Sequence, residues 1–312
     1  MDSLFTQYNI RMPLDEMADN LELECLFSVD DSCSIVSIAQ DMGVGEDDDY
    51  EIDEEEKNQN FLSEVLGIID NRNRWCSSNY PFEADAQTIK IKNVTDDVCK
   101  SIYTFLLLAT REKMGTQRIA DGIDGTLLFE KLSACILKNY FGSSSHVSVF
   151  GTGSDITESF KDKLKRLLTE IGEKGYSVRE EAIEPSQKDG GIDLFACIPF
   201  SDGKKGQFLG FCQCKTGSSW PSILGMMQPK TFDLYIIPGF VFKPISIYML
   251  TDTVPSNKWE KYSVQSGGFI FDRCRLMNWL PKKLDNQILS DVRKWNKAVI
   301  TRHQQDMISV SG

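Results

Sequence analysis

Two apolar runs joined by a turn constrain this chain more than any other stretch. Asp189-Gly-Gly-Ile-Asp193-Leu-Phe-Ala-Cys-Ile-Pro leads through Ser201-Asp-Gly-Lys-Lys-Gly206 to Gly210-Phe-Cys-Gln213-Cys-Lys215-Thr-Gly. This reads as a buried hairpin with the carboxylate of Asp193 on its first strand. Side chains alternate across a strand, so Gln213 and Lys215 share one face while Cys212 and Cys214 point the other way, into core. Buried charge is costly unless paired or metal-bound. An acid, an amide oxygen and a lysine crowded at the end of such a hairpin therefore pack poorly, yet suit a divalent cation and a water.

The flanking sequence supplies the layers around that hairpin. Thr95 is placed to cap a helix running to about Met114, with Val98, Ile102, Phe105 and Ala109 on one face. The glycine turn Asp121-Gly-Ile-Asp-Gly125 precedes a second helix through Leu128, Leu132, Ile136 and Tyr140, closed by Gly142. Glu130 lies off that apolar stripe, beside Ala134 and Leu137. Ser143–Gly153 reads as a loop. Ile156, Phe160, Leu164, Leu167 and Ile171 mark a third helix carrying Lys161, Lys163, Lys165 and Arg166, expected to face solvent. Tyr176–Ile183 reads as a first strand, the hairpin gives two more, and Ile245–Leu250 and Gly268–Arg273 add a fourth and fifth. A final helix starts near Pro281 and carries Leu284, Ile288, Val292, Trp295 and Val299. That order predicts an α/β sandwich around a mixed sheet.

Upstream, a weak helical pattern spans Leu14–Leu23. Strand-like runs occur at Leu26–Val29 and Ser34–Ile38, and Phe61, Val65, Ile68 and Ile69 recur at helical spacing. The run Glu46-Asp-Asp-Asp-Tyr-Glu-Ile-Asp-Glu-Glu-Glu56 reads first as a solvated acidic loop, and second as a nucleic-acid mimic or partner-docking segment. Residues 1–85 hold 22 acidic and 4 basic side chains, net −18, whereas residues 86–312 hold 24 and 30, net +6. The mildly basic half contains the hairpin, an asymmetry that suits a polyanionic substrate. The division expected is 1–118, an acidic, mainly helical regulatory or partner-binding region, and 119–312, the domain that holds the site.

Other classes recede. No apolar run approaches the ~18–20 residues of a membrane helix, and the first residues lack a signal-peptide pattern. Nine cysteines in scattered positions, with no CxxC pair, indicate neither a disulfide framework nor a zinc site. A reduced, cytoplasmic protein is the expectation. The two histidines, His146 and His303, are expected at the surface, which leaves little room for a Ser–His–Asp or Cys–His centre. Carboxylates, amide oxygens and backbone carbonyls remain, a hard-oxygen set that suits magnesium or manganese.

Gly191-Ile-Asp193 followed by Gln213-Cys-Lys215, with Gly125-Thr-Leu-Leu-Phe-Glu130 upstream, resembles the PD-(D/E)XK nuclease signature over about residues 120–275. The resemblance is closest to the Mrr-like branch, in which Gln replaces the acid before the lysine. It implies a restriction endonuclease-like α/β/α sandwich with a central mixed sheet, and a Mg2+- or Mn2+-dependent endonuclease acting on DNA. Asp193 would be the principal metal ligand, with Gln213 and the backbone carbonyl of Cys214 contributing. Lys215 would orient the attacking water, and Glu130 would add a second carboxylate. Asp189 would shape the Gly190-Gly191 turn. Lys161, Lys165, Lys204 and Lys205 are candidate phosphate contacts. A Gln in place of Glu removes a negative charge, so metal affinity leans on Glu130. The branch further implies a bacterial restriction or anti-phage effector, with a sensor or ATPase partner and a homo-oligomer as expectations. The alternative is a catalytically inactive module of the same fold that binds nucleic acid or a partner protein.

Overall fold

A computed structural model of the chain describes residues 12–36, 54–85, 87–93, 96–151, 158–184 and 190–310. In chain order its helices are α1 Leu14–Phe27, α2 Glu54–Trp75, α3 Asp97–Arg111, α4 Gly125–Phe141, α5 Phe160–Ile171, α6 Trp259–Ser266, α7 Arg273–Asn278 and α8 Asn286–Val310. The strands are β1 Ser32–Ser34, β2 Phe82–Ala84, β3 Thr88–Ile91, β4 Ile119–Ala120, β5 Ile123–Asp124, β6 His146–Val149, β7 Ser177–Val178, β8 Leu194–Ile198, β9 Phe208–Lys215, β10 Ile236–Ile237, β11 Ile245–Leu250 and β12 Gly268–Phe271. The fold is mixed α/β with a mixed central sheet in the order β12-β11-β9-β8-β6. The β8–β9 hairpin is antiparallel, while β11 runs parallel to both β9 and β12.

Alternation along these strands divides the core into two clusters. Leu194, Cys212, Ile247, Met249 and Phe271 face one cluster, shared with Leu128, Phe129 and Leu132 of α4 and Trp295 of α8. Phe195, Phe211, Tyr248, Leu250 and Ile270 face the other, with Phe160, Leu164 and Leu167 of α5. Helices thus cover both faces of the sheet, as an inner sheet that is apolar on both sides requires. Local chemistry sets their ends. Asp124 caps α4 by accepting from Thr126 N and Leu127 N, Ser159 caps α5, and Gly142 and Gly172 close the two helices with positive φ.

Several sequence expectations change. Residues 143–153 hold the edge strand β6, paired antiparallel with β8, and not a loop throughout. The strand hides between glycines and serines, and only Val147 and Val149 reach the core. Tyr176–Ile183 contributes nothing to the central sheet. Only Ser177 and Val178 pair, with β10, before a 3-10 turn at Glu180–Ala182. Leu26 and Phe27 end α1, and the strand after it is Ser32–Ser34. Asp96, one residue after Thr95, caps α3. Thr95, Ile156, Asp189 and positions 46–53 of the acidic run lie outside the described residues, and Glu54–Glu56 open α2.

The N-terminal helices close over the end of the sheet where β9, β11 and β12 finish. Asp19 and Glu22 of α1 meet Arg72 of α2 at 2.8 and 2.7 Å, and Arg273 of α7 reaches Asp19 at 2.7 Å. Tyr80 and Tyr103 hydroxyls donate to Glu22, and Arg273 also donates to Thr251 O and Thr110 Oγ1. Burial alone would raise the Asp19 carboxyl, but Arg273 and Arg72 outweigh it and hold it below the ordinary carboxylate range. Asp252, at the same end of β11, is pushed up to about 6 by burial and by the charge of Asp19, with Arg273 opposing. The apolar core likewise runs across residue 118: Phe105 of α3 stacks edge-on against Trp295 of α8 at 5.1 Å. Among the described residues, no helix is long and apolar enough to cross a membrane.

Candidate functional site

Asp193 stands one residue before β8, where the hairpin opens. Its N–H donates to Cys212 O at 2.9 Å, and its carbonyl accepts from Phe150 N at 2.7 Å and Gly151 N at 2.9 Å. The carboxylate then takes the place of the next backbone rung: Oδ2 accepts from Cys214 N at 2.7 Å. Gly151 leaves room for this approach, and Gly190 makes the turn before it. A Cβ on Gly151 would lie 3.2 Å from Asp193 Cα and 3.3 Å from Oδ1. Gly190 has φ +65°, and a Cβ there would lie 2.8 Å from the Phe232 ring. The N–H and C=O of one strand residue point to the same side of the strand, so the carbonyl of Cys214 is directed toward the Asp193 segment.

Gln213 and Lys215 sit two residues apart on the α5 side of β9, across from Tyr248 and Leu250 of β11. Gln213 Oε1 is buried and accepts no hydrogen bond. A buried acceptor left unsatisfied costs about 1–3 kcal/mol, so its retention calls for a ligand or a function. Among the described residues, no hydrogen bond or ion pair engages the Lys215 ammonium, although its carbonyl accepts from Thr251 N at 3.2 Å. The hairpin thus brings Asp193, Gln213, Lys215 and the Cys214 backbone to one strand end.

Glu130 belongs to the other layer. It is buried, at 7% exposure, on the helix that packs over Cys212 and Cys214. Burial pushes both thiols up, and the charges of Asp193 and Glu130 add to that rise at each of them. Both carboxylates therefore act on the same pair of thiols, while Gln213 and Lys215 leave the strand on the opposite face. Among the described residues, no group of three or more His, Cys, Asp or Glu side chains is placed to hold a metal ion. A cation here would depend on Gln213 Oε1 and backbone oxygen beside Asp193, and the orphaned buried oxygen fits that demand.

The lysines predicted to touch phosphate are dispersed. Lys161 and Lys165 both pair with Glu180, at 3.3 and 2.8 Å. Lys204 pairs with Asp202 at 3.5 Å, and Lys205 lies over the Tyr176 ring at 4.2 Å. The last two sit at the closed end of the hairpin, five strand residues or about 17 Å from Asp193. Lys163, expected in solvent, is buried at 5% exposure and donates to Gly151 O at 3.3 Å. Its position was readable: it falls three residues after Phe160 and four before Leu167, on the apolar stripe itself. His303 is also buried, with Nε2 2.8 Å from Glu112 Oε2, whereas His146 is half-exposed and meets Glu170.

Compared with protein-family models, with curated proteins and with solved structures, the chain finds no match in any of the three.

Proposed function

We propose that the chain is a metal-dependent endonuclease that hydrolyses phosphodiester bonds, in DNA by preference, on a restriction endonuclease-like sandwich. The observation that carries this reading is the buried, unsatisfied Gln213 Oε1 at the strand end shared with Asp193 and Lys215. Asp193, Gln213 Oε1 and the Cys214 carbonyl would hold Mg2+ or Mn2+, with Glu130 supplying negative charge from the helix layer. When bound, such a cation supplies stabilisation of charge on a phosphate oxygen. Lys215, which no described residue engages in an ion pair, offsets phosphate charge and orients a water on its face of β9. Asp193 is held in position by its bond to Cys214 N, with Gly151 leaving room for it. A role in bacterial restriction or anti-phage defence, with a sensor or ATPase partner, follows from the sequence resemblance and belongs to the same proposal.

The test is cleavage of plasmid, single-stranded DNA and RNA by the purified chain with magnesium or manganese. Chelator-sensitive cutting should be lost in Asp193→Asn, which keeps an acceptor for Cys214 N, and in Lys215→Ala. Full activity in a well-folded Asp193→Asn protein would sink the proposal. A second reading, an inactive module that binds nucleic acid or a partner protein, is favoured by one feature. Glu130 lies on α4, over the face of β9 opposite to Gln213, so the charge lost at Gln213 has no carboxylate on its own face from α4. Binding of nucleic acid without cleavage under every metal would select this reading.

A further inference from the structure

A cleft of about 530 Å³ opens on the side of the N-terminal helices, at the same end of the sheet as the candidate site. Its lining includes Trp75 from the last turn of α2, Trp259 at the start of α6, and Arg275 and Asn278 of α7. Trp75 remains 45% exposed, a large aromatic surface left uncovered. The Arg275 guanidinium stacks 4.1 Å over the Trp259 ring, steadied by donation to Ile270 O at 2.9 Å. Around Trp259 the sequence interleaves charge and rings, Lys258-Trp-Glu-Lys-Tyr262. Tyr262 packs edge-on against Trp220 at 4.9 Å.

We infer that this cleft is a stacking site for a base of single-stranded nucleic acid, with Trp259 and Arg275 as its platform and Trp75 as a second wall. This rests on the nucleic-acid reading above and narrows its substrate class. Base stacking on aromatic rings and guanidinium planes is sequence-tolerant, and nearby lysines track the backbone. The carboxylates of Asp272 and Glu260, both on the lining, disfavour a phosphate inside, so the occupant is a base, with its backbone outside along Lys258 and Lys261. A stacked base requires an unpaired strand, because the faces of paired bases inside a duplex are covered. The cleft also lies a short chain distance from the candidate site, past the end of β11. Leu250 pairs with Lys215, and Val254, four residues on, lines the cleft. That is at most about 14 Å of extended chain, within the span of a few nucleotides.

The experiment is a fluorescence titration of the intact chain with a short single-stranded oligonucleotide in the presence of chelator, so that no cleavage intervenes. Saturable tryptophan quenching is expected. Trp259→Ala should weaken binding about tenfold or more and Trp259→Phe much less. Arg275→Gln, at an exposed position, should weaken it with melting unchanged, and Arg275→Lys should fail to restore it, because lysine lacks the planar face. Equal affinity in wild type, Trp259→Phe and Arg275→Gln, or tighter binding of the matching duplex, would overturn the inference. Binding lost in Arg275→Gln from a protein that cuts nothing would support the cleft while removing the nuclease reading. Cutting of single strands by Arg275→Gln with unchanged affinity would remove the cleft alone.

Discussion

Two polar groups of residues meet at one end of the central sheet, and they differ in how far their charges are matched by partners. In the first, Asp19, Glu22, Arg72 and Arg273 are all buried. Their charges are matched by one another and by Tyr80, Tyr103, Thr110 and the Thr251 carbonyl. In the second, Gln213 Oε1 accepts nothing and no described residue engages the Lys215 ammonium. The strands bring both groups together, yet only in the first does each charge meet an opposite one, with the buried Arg72 Nε as a leftover donor. A charge-matched network specifies which surfaces dock, here the N-terminal helices on the sheet end. An unmatched group keeps polar atoms available for something else.

The widest break in that contrast comes from Arg273→Met. Removing one partner from a buried charged network strands the others, and the expected loss is about 3–5 kcal/mol, read from urea denaturation of the variant against wild type. Lys215→Met, at a less buried position at the same end of the sheet, should stay within about 1 kcal/mol of wild type while any cleavage disappears. Equal destabilisation by the two substitutions would erase the distinction.

Gln213→Leu sharpens the comparison from the other side. It removes an acceptor that has no partner, so denaturation should show a gain of about 1 kcal/mol, with activity lost. This is the pattern expected where a site is kept at the expense of stability. A loss of stability would mean that the amide is held by structure after all.

The smallest effect expected is on pH dependence. Asp252 has its carboxyl raised from 3.8 to about 6, so its ionisation weakens the folded state as pH rises through that window. Stability from this residue is greatest below about pH 4 and lost by about pH 7. Asp19, held below the ordinary carboxylate range, works in reverse: its contribution is present above about pH 4 and disappears on stronger acidification. Melting temperatures of wild type and Asp252→Asn should therefore diverge between pH 4 and 7, the variant having the flatter profile. Asn keeps an acceptor for Trp220 Nε1, which donates to Asp252 at 2.8 Å. Parallel profiles would show that Asp252 is not the group responsible.

Alternation and spacing were enough, in sequence alone, to define the hairpin, the faces of Gln213 and Lys215 against Cys212 and Cys214, and the helix α4; α8 was found by its spacing, but it begins at Asn286 and not near Pro281. Each of these is a local periodicity backed by a turn or a cap. The strand β6 was not legible, because four residues between glycines and serines carry too little pattern to oppose a loop reading. Nor could the layer of Glu130 be read. Its burial depends on which sheet face α4 covers, and that follows from the pairing of β6, β8 and β9. Lys163 sat openly on an apolar stripe, and only the prior that lysines face water concealed it. The joining of Asp19 to Arg273, 254 residues apart, and the placing of Trp75 and Trp259 on one cleft were decided by tertiary structure alone. Contacts between distant segments leave no mark on local periodicity. They arise because charges and rings exposed on separate elements are buried only when those elements pack.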